Sequence, residues 1–231
     1  MFMSIDNKIK KLKALPTTED RPNQEVKIAD CGAIEDGADF GVCANDGTQD
    51  VYPHHPGDLD LDWYLMSNFK KVLEIINNIK ASGNHFYKAG DNRAAVKKYR
   101  KALKYISHLR DSMGSTEDIE EEQIRAVEVP ACLNMAAALL RTTPRTQEGL
   151  EEAKKQCENV LEIEPDNAKA LFRRGQVGFW KQDYADALAD LARVRELQPG
   201  DKGVLLEIEK VKKARAALVQ KEKSMYGKMF K

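Results

Sequence analysis

The chain has 231 residues, and its 37 Lys plus Arg match its 37 Asp plus Glu, so the formal net charge is zero. That balance argues against a general nucleic-acid or membrane-surface binder. Charged residues make up 32% and aromatics only 7%, as expected of a helical, Lys/Glu-rich protein, and no apolar run reaches the length of a membrane span.

The chain opens with a short basic amphipathic stretch, "MFMSIDNKIKKLKAL", whose apolar residues are too interrupted for a secretory signal. A turn follows in "LPTTEDRPN", and then "EVKIADCG" alternates as a strand would and stops at Gly32. Residues 1–34 form this first zone. Residues 35–65 are rich in Gly, Asp, Pro and His and read as an acidic linker. From Ile28 to Phe69 there are nine acids and no Lys or Arg, which predicts a solvated stretch. The cysteines Cys31, Cys43, Cys132 and Cys157 are widely spaced and include no C-x-x-C pair. They read as reduced thiols of a cytoplasmic protein, with the nucleus also open to it, and no metal or other cofactor is expected.

From about Asp62 onward the pattern is helical, and it repeats. Pro165 and Pro199 stand 34 residues apart, as do Ala153 and Ala187. A helix–turn–helix unit of that period is the tetratricopeptide (TPR) signature. The frame also fits Gly83, Phe86, Ala95, Tyr99 and Ala102, and a middle copy through Asn134, Ala136, Ala153, Cys157 and Pro165. The fold expected is all-α: three TPR repeats at about 76–109, 129–167 and 168–201 within a domain spanning 66–203. Two insertions interrupt it. "DSMGSTEDIEEEQIRAVEV" separates repeats one and two, and about five extra residues sit in the turn of repeat two, around "TTPRTQEG". The acidic run from Glu117 to Glu122 reads as a solvated first helical turn.

Residues 204–231 read as one basic helix, with nine basic residues against four acids between Asp201 and Lys231. Its stripe of Val204, Ile208, Val211 and Ala214, with Leu218 and Met225 beyond, would cap the open end of the third repeat. A basic amphipathic helix is also a calmodulin-type target, so calmodulin is a second expected partner at the tip.

The candidate site follows from the repeat frame. In a TPR stack the first helix of each repeat lines a concave groove. Lys80 and Asn84 fall on that helix of repeat one, Asn134 on that of repeat two, and Lys169 and Arg173 on that of repeat three. Lys169 and Arg173 are four apart and repel mildly unless an anion lies between them. Three cations and two amides without a groove acid suit carboxylate oxygens, since Asn donates without adding repulsion. Arg174 lies outside the set and should face the neighbouring helix.

These five residues resemble the carboxylate clamp of TPR co-chaperones in order and repeat position. "EVKIADCG", the linker with "YPHHPGDLDLDW" and the ending "EKSMYGKMF" extend the likeness to the cyclophilin 40-type immunophilins, over about residues 6–231. The resemblance implies an adaptor whose clamp grips the terminal Asp of heat shock protein 90, or of heat shock protein 70, at both its carboxylates. It also implies a remnant of the cyclophilin barrel's last strand at residues 25–31, with unpaired edges and residues 1–60 mobile. Family members are peptidyl-prolyl isomerases, but the segments that supply the catalytic arginine and the proline pocket do not occur here. The expectation is therefore a binding module with no catalytic residue, and an isomerase is the alternative.

Overall fold

The computed structural model describes residues 17–18, 21–22, 46–58, 69–113 and 118–229. The chain divides into two units, Met1–Phe40 and Gly41–Lys231. In the first, the strands β1 (Thr17–Thr18) and β2 (Arg21–Pro22) pair antiparallel across the expected turn, Thr17 opposite Pro22 and Thr18 opposite Arg21. The strand expected at 25–31 lies outside the described residues.

The second unit carries seven helices among the described residues: α1 (Phe69–Lys88), α2 (Asn92–Met113), α3 (Asp118–Arg141), α4 (Gln147–Ile163), α5 (Ala168–Lys181), α6 (Tyr184–Leu197) and α7 (Lys202–Met229). Each packs on its sequence neighbour, and α3 also touches α1 and α5. This is the all-α TPR architecture: pairs α1/α2, α3/α4 and α5/α6, closed by α7. The turns are where the chain needs special backbone. Gly90 (φ 85°) links α1 to α2 and Gly200 (φ 90°) links α6 to α7, a region that L side chains disfavour. Helix starts carry their own acceptors: Asn167 Oδ1 takes the Ala170 amide at 3.0 Å and Thr146 Oγ1 takes that of Gly149 at 3.1 Å.

Small residues recur in the frame because the helix pairs approach closely. A Cβ at Gly83 would lie 2.6 Å from Tyr99 Cε1, and one at Gly175 would lie 3.0 Å from Leu191 Cγ. Ala95, Ala102, Ala153 and Cys157 are fully buried. The middle helix α3 has apolar residues on all sides because it is packed on several: Ala131, Cys132, Met135, Ala136 and Ala138 are all buried. Val204, Ile208 and Val211 of α7 bury against Leu171, Leu191 and Val194, which is the capping contact. Beyond Val211 the helix has no fully buried described residue, and Val219 and Met225 are exposed.

Two expectations drawn from charge differ from the structure. The acidic stretch is not solvated throughout. Asp50 is 2% exposed and receives Lys98 Nζ at 2.7 Å and Lys101 Nζ at 2.6 Å. Tyr105 donates its hydroxyl to the Pro53 carbonyl at 2.6 Å, and Asn78 Nδ2 donates to Tyr52 at 3.0 Å. Residues 46–58 are thus strapped to α1 and α2. The acidic first turn of α3 is likewise engaged in part. Glu121 and Glu128 both take the Arg110 guanidinium, at 3.0 Å and 2.9 Å, tying α3 to α2. A sequence window sees an excess of like charge; it does not see the lysines of α2 some fifty residues away.

Candidate functional site

All five candidate residues lie on α1, α3 and α5, the first helices of the three pairs. The two amides meet: Asn134 Nδ2 donates to Asn84 Oδ1 at 3.0 Å. The same oxygen accepts the Tyr99 hydroxyl at 2.7 Å. With both its lone-pair directions taken, Asn84 Oδ1 has no acceptor capacity left, and its Nδ2 is the group free to donate. Burial, with Tyr87 nearby, pushes the Tyr99 phenol up to about 12, so it stays a donor. Tyr99 appears in the sequence as a packing residue of the repeat frame. That its hydroxyl orients a site amide carries no sequence signal, because the frame needs only its ring.

Lys169 and Arg173 line one cleft, with Tyr87, Arg141 and Gln176 beside them. Burial lowers the Arg173 pKa, and Arg141 adds like-charge repulsion while Cys157 and Tyr87 oppose it. Arg173 Nη1 is enclosed by protein and has no hydrogen-bond partner. Lys80, one turn before Asn84, is half-buried, and its pKa is also lowered by desolvation. Among the described residues, neither cation is ion-paired. Burying charge without pairing it is costly, and such groups mark places where a partner is missing. Among the described residues the groove therefore brings together two hydrogen-bonded amides and three cations with no ion pair, an arrangement able to donate to an anion.

Arg174 shows the contrast one residue away. It forms a two-pronged pair with Asp190 of α6, Nε to Oδ2 at 2.8 Å and Nη2 to Oδ1 at 2.6 Å, and that pairing raises its pKa. It faces the neighbouring helix, as its position predicts. His85 is exposed on α1 and stacks edge-on against Phe86 at 5.6 Å. Cys132 and Cys157 are buried free thiols, pushed up to about 12 chiefly by desolvation, so they stay protonated and inert. Cys31 and Cys43 lie outside the described residues. Among the described residues no cluster of His, Cys, Asp or Glu suits a metal ion, and no helix is long and apolar enough to cross a membrane.

No family profile matches the chain. It is similar to peptidyl-prolyl cis-trans isomerase D of two strains of Cryptococcus neoformans var. neoformans serotype D, at 27% identity over 232 residues. Those matches cover 96% of this chain and 61% of theirs, so the chain spans about three fifths of the length of these relatives. Among solved structures it is similar to the C-terminal TPR-containing domain of a Plasmodium falciparum FK506-binding protein, with TM-score 0.59 and 20% identity. That likeness covers 68% of this chain and 99% of that domain. A second likeness, to the UNC-45 chaperone, has TM-score 0.50 and 24% identity and covers 66% of this chain and 15% of that one. The chain thus carries a TPR domain and is related in sequence, over nearly its whole length, to the isomerase D proteins of the cyclophilin 40 type.

Proposed function

We propose that the chain is a co-chaperone adaptor that binds the acidic C-terminal peptide of heat shock protein 90. Lys80, Asn84, Asn134, Lys169 and Arg173 would hold the main-chain and side-chain carboxylates of the terminal Asp. The observation that carries this reading is that Lys169 and the partly buried Arg173 line one cleft, with no ion pair to either among the described residues. A carboxylate in the groove would answer that unpaired positive charge and gain a charge-assisted bond. The Asn84–Asn134 pair supports it, because both amides are already turned and need no reordering on binding. The same chemistry accepts the terminal acid of heat shock protein 70 or of another acidic C-terminus. The exposed end of α7, with Val219 and Met225 among lysines, is the segment a calmodulin-type groove would take.

The test is calorimetric titration with Met-Glu-Glu-Val-Asp as free acid and as C-terminal amide. Amidation removes one carboxylate, and the expected loss is tenfold or more, from about 1.5–3 kcal/mol per bond to a charged group. Equal binding of acid and amide rejects the clamp.

A further inference from the structure

The cleft beside Arg173 holds more cationic chemistry than one C-terminal residue uses. It encloses about 670 Å³, and beyond Lys169 and Arg173 its wall presents Arg141, Arg145 and Lys210. Its one lining acid among the described residues, Asp201, is already occupied: Oδ1 accepts the Gly203 amide at 2.7 Å as the cap of α7. Lys210 is answered by Glu207 at 2.8 Å. Arg141 and Arg145 have no acid among the described residues.

Both arginines are held in place nonetheless. The Arg145 guanidinium lies 4.0 Å from the Trp180 ring centroid, and its Nε donates to the Leu140 carbonyl at 2.9 Å. Arg141 sits 4.7 Å from the Tyr87 centroid. Aromatic faces fix these planes without consuming the terminal nitrogens, which leaves each fork directed at whatever enters the cleft. Trp180 is itself 43% exposed, an unusual placement for an indole in a chain with two tryptophans. Arg145 comes from the extra residues in the turn of the second pair, between α3 and α4. That insertion therefore supplies groove chemistry and is more than a tolerated loop.

The spacing says which part of a ligand would arrive here. Trp180 follows Arg173 by seven residues on α5, about two turns or roughly 10 Å at 1.5 Å per residue. An extended peptide covers that distance in about three residues, at roughly 3.3 Å each. We infer that Arg145, stacked on Trp180, and Arg141, held by Tyr87 in the same cleft, form a second carboxylate subsite for an acidic side chain about three residues before the ligand's C-terminus. This rests on the clamp reading. It narrows the ligand class to C-terminal peptides acidic at two separated places.

A double-mutant cycle on the whole chain tests it. The ligands are Met-Glu-Glu-Val-Asp and Met-Gln-Glu-Val-Asp, which differ only at the residue three before the end. The variants are Arg145→Ala and Arg141→Ala, with folding checked by circular dichroism. On the Glu peptide each variant should lose about threefold to tenfold in affinity, the worth of one charge-assisted contact at an open site. On the Gln peptide, already weakened on the unsubstituted chain, neither variant should lose more than about twofold. Equal losses on both peptides, or no loss on either, overturn the subsite while leaving the clamp intact. Equal binding of the free acid and the amide by the unsubstituted chain overturns the clamp, and the subsite falls with it.

Discussion

Replacing Arg173 with Met separates what the residue does for the fold from what it does for a ligand. Met keeps most of the apolar stem and removes a guanidinium whose Nη1 is enclosed and unpartnered. In the empty protein that nitrogen costs about 1–3 kcal/mol, and the lower end applies because the side chain as a whole is only partly buried. Removing it should stabilise the chain by roughly 1 kcal/mol, a rise of about 2–4 °C in Tm for a domain of this size. The same substitution should weaken a free-acid Met-Glu-Glu-Val-Asp peptide by about ten- to a hundredfold, from the loss of about 1.5–3 kcal/mol. Thermal melts with and without peptide, paired with calorimetry, read both numbers. Arg174→Ala is the control of opposite sign: it strands Asp190, whose side chain is 12% exposed, so it should lower Tm while leaving peptide affinity nearly unchanged. A lower Tm for Arg173→Met would refute the reasoning, because the guanidinium would then be a working part of the core.

Three further outcomes are expected. Asp50→Ala removes the carboxylate that Lys98 and Lys101 share, while Lys101 keeps its bond to the Tyr52 carbonyl, and should cost about 3 kcal/mol, the low end for breaking a buried pair. Melting should drop accordingly, and residues 46–58, expected to resist protease in the unsubstituted chain, should become cleavable; an unchanged Tm and digest would mean that the strap is incidental. Deleting residues 204–231 uncovers Leu171, Leu191 and Val194 and should lower Tm by several degrees, whereas deleting 222–231 should change it little; equal stability of the long deletion and the full chain would end the capping role. The 231-residue chain should show no prolyl isomerase rate in a peptide assay, and a rate abolished by a cyclophilin inhibitor would contradict the adaptor reading.

The helical fold was legible because TPR packing writes itself into spacing. The 34-residue interval between Ala153 and Ala187 exists because both are buried small residues where helices approach closely. The same holds for Gly83, which cannot carry a Cβ against Tyr99. The strap was not legible. Its contacts run from Asp50 to Lys98 and Lys101 and from Pro53 to Tyr105, across about fifty residues, and no period links them. Local composition reads nine acids as a solvated stretch, while the fold pairs Asp46 and Asp50 with lysines of α2. The engagement of Glu121 and Glu128 by Arg110 escaped for the same reason.

The groove divides along the same line. Which residues stand on the first helices follows from counting, and Lys80, Asn84, Asn134, Lys169 and Arg173 all sit there. What counting does not reach is how each is held. Asn84 is turned by Tyr99 from α2, and Arg145 is fixed by Trp180 from α5. In each case a side chain valued by the repeat for bulk also spends a hydroxyl or a ring face on orienting a polar neighbour. Among the described residues Lys80, Lys169 and Arg173 have no ion pair, while the surrounding helices carry pairs such as Arg174–Asp190 and Arg110–Glu128. An acid placed within reach of Arg173 would stabilise the empty protein and compete with any carboxylate ligand. On the proposed reading, the stability forgone there would make the groove selective for an acidic terminus, and the sign of the Arg173→Met melt tests it.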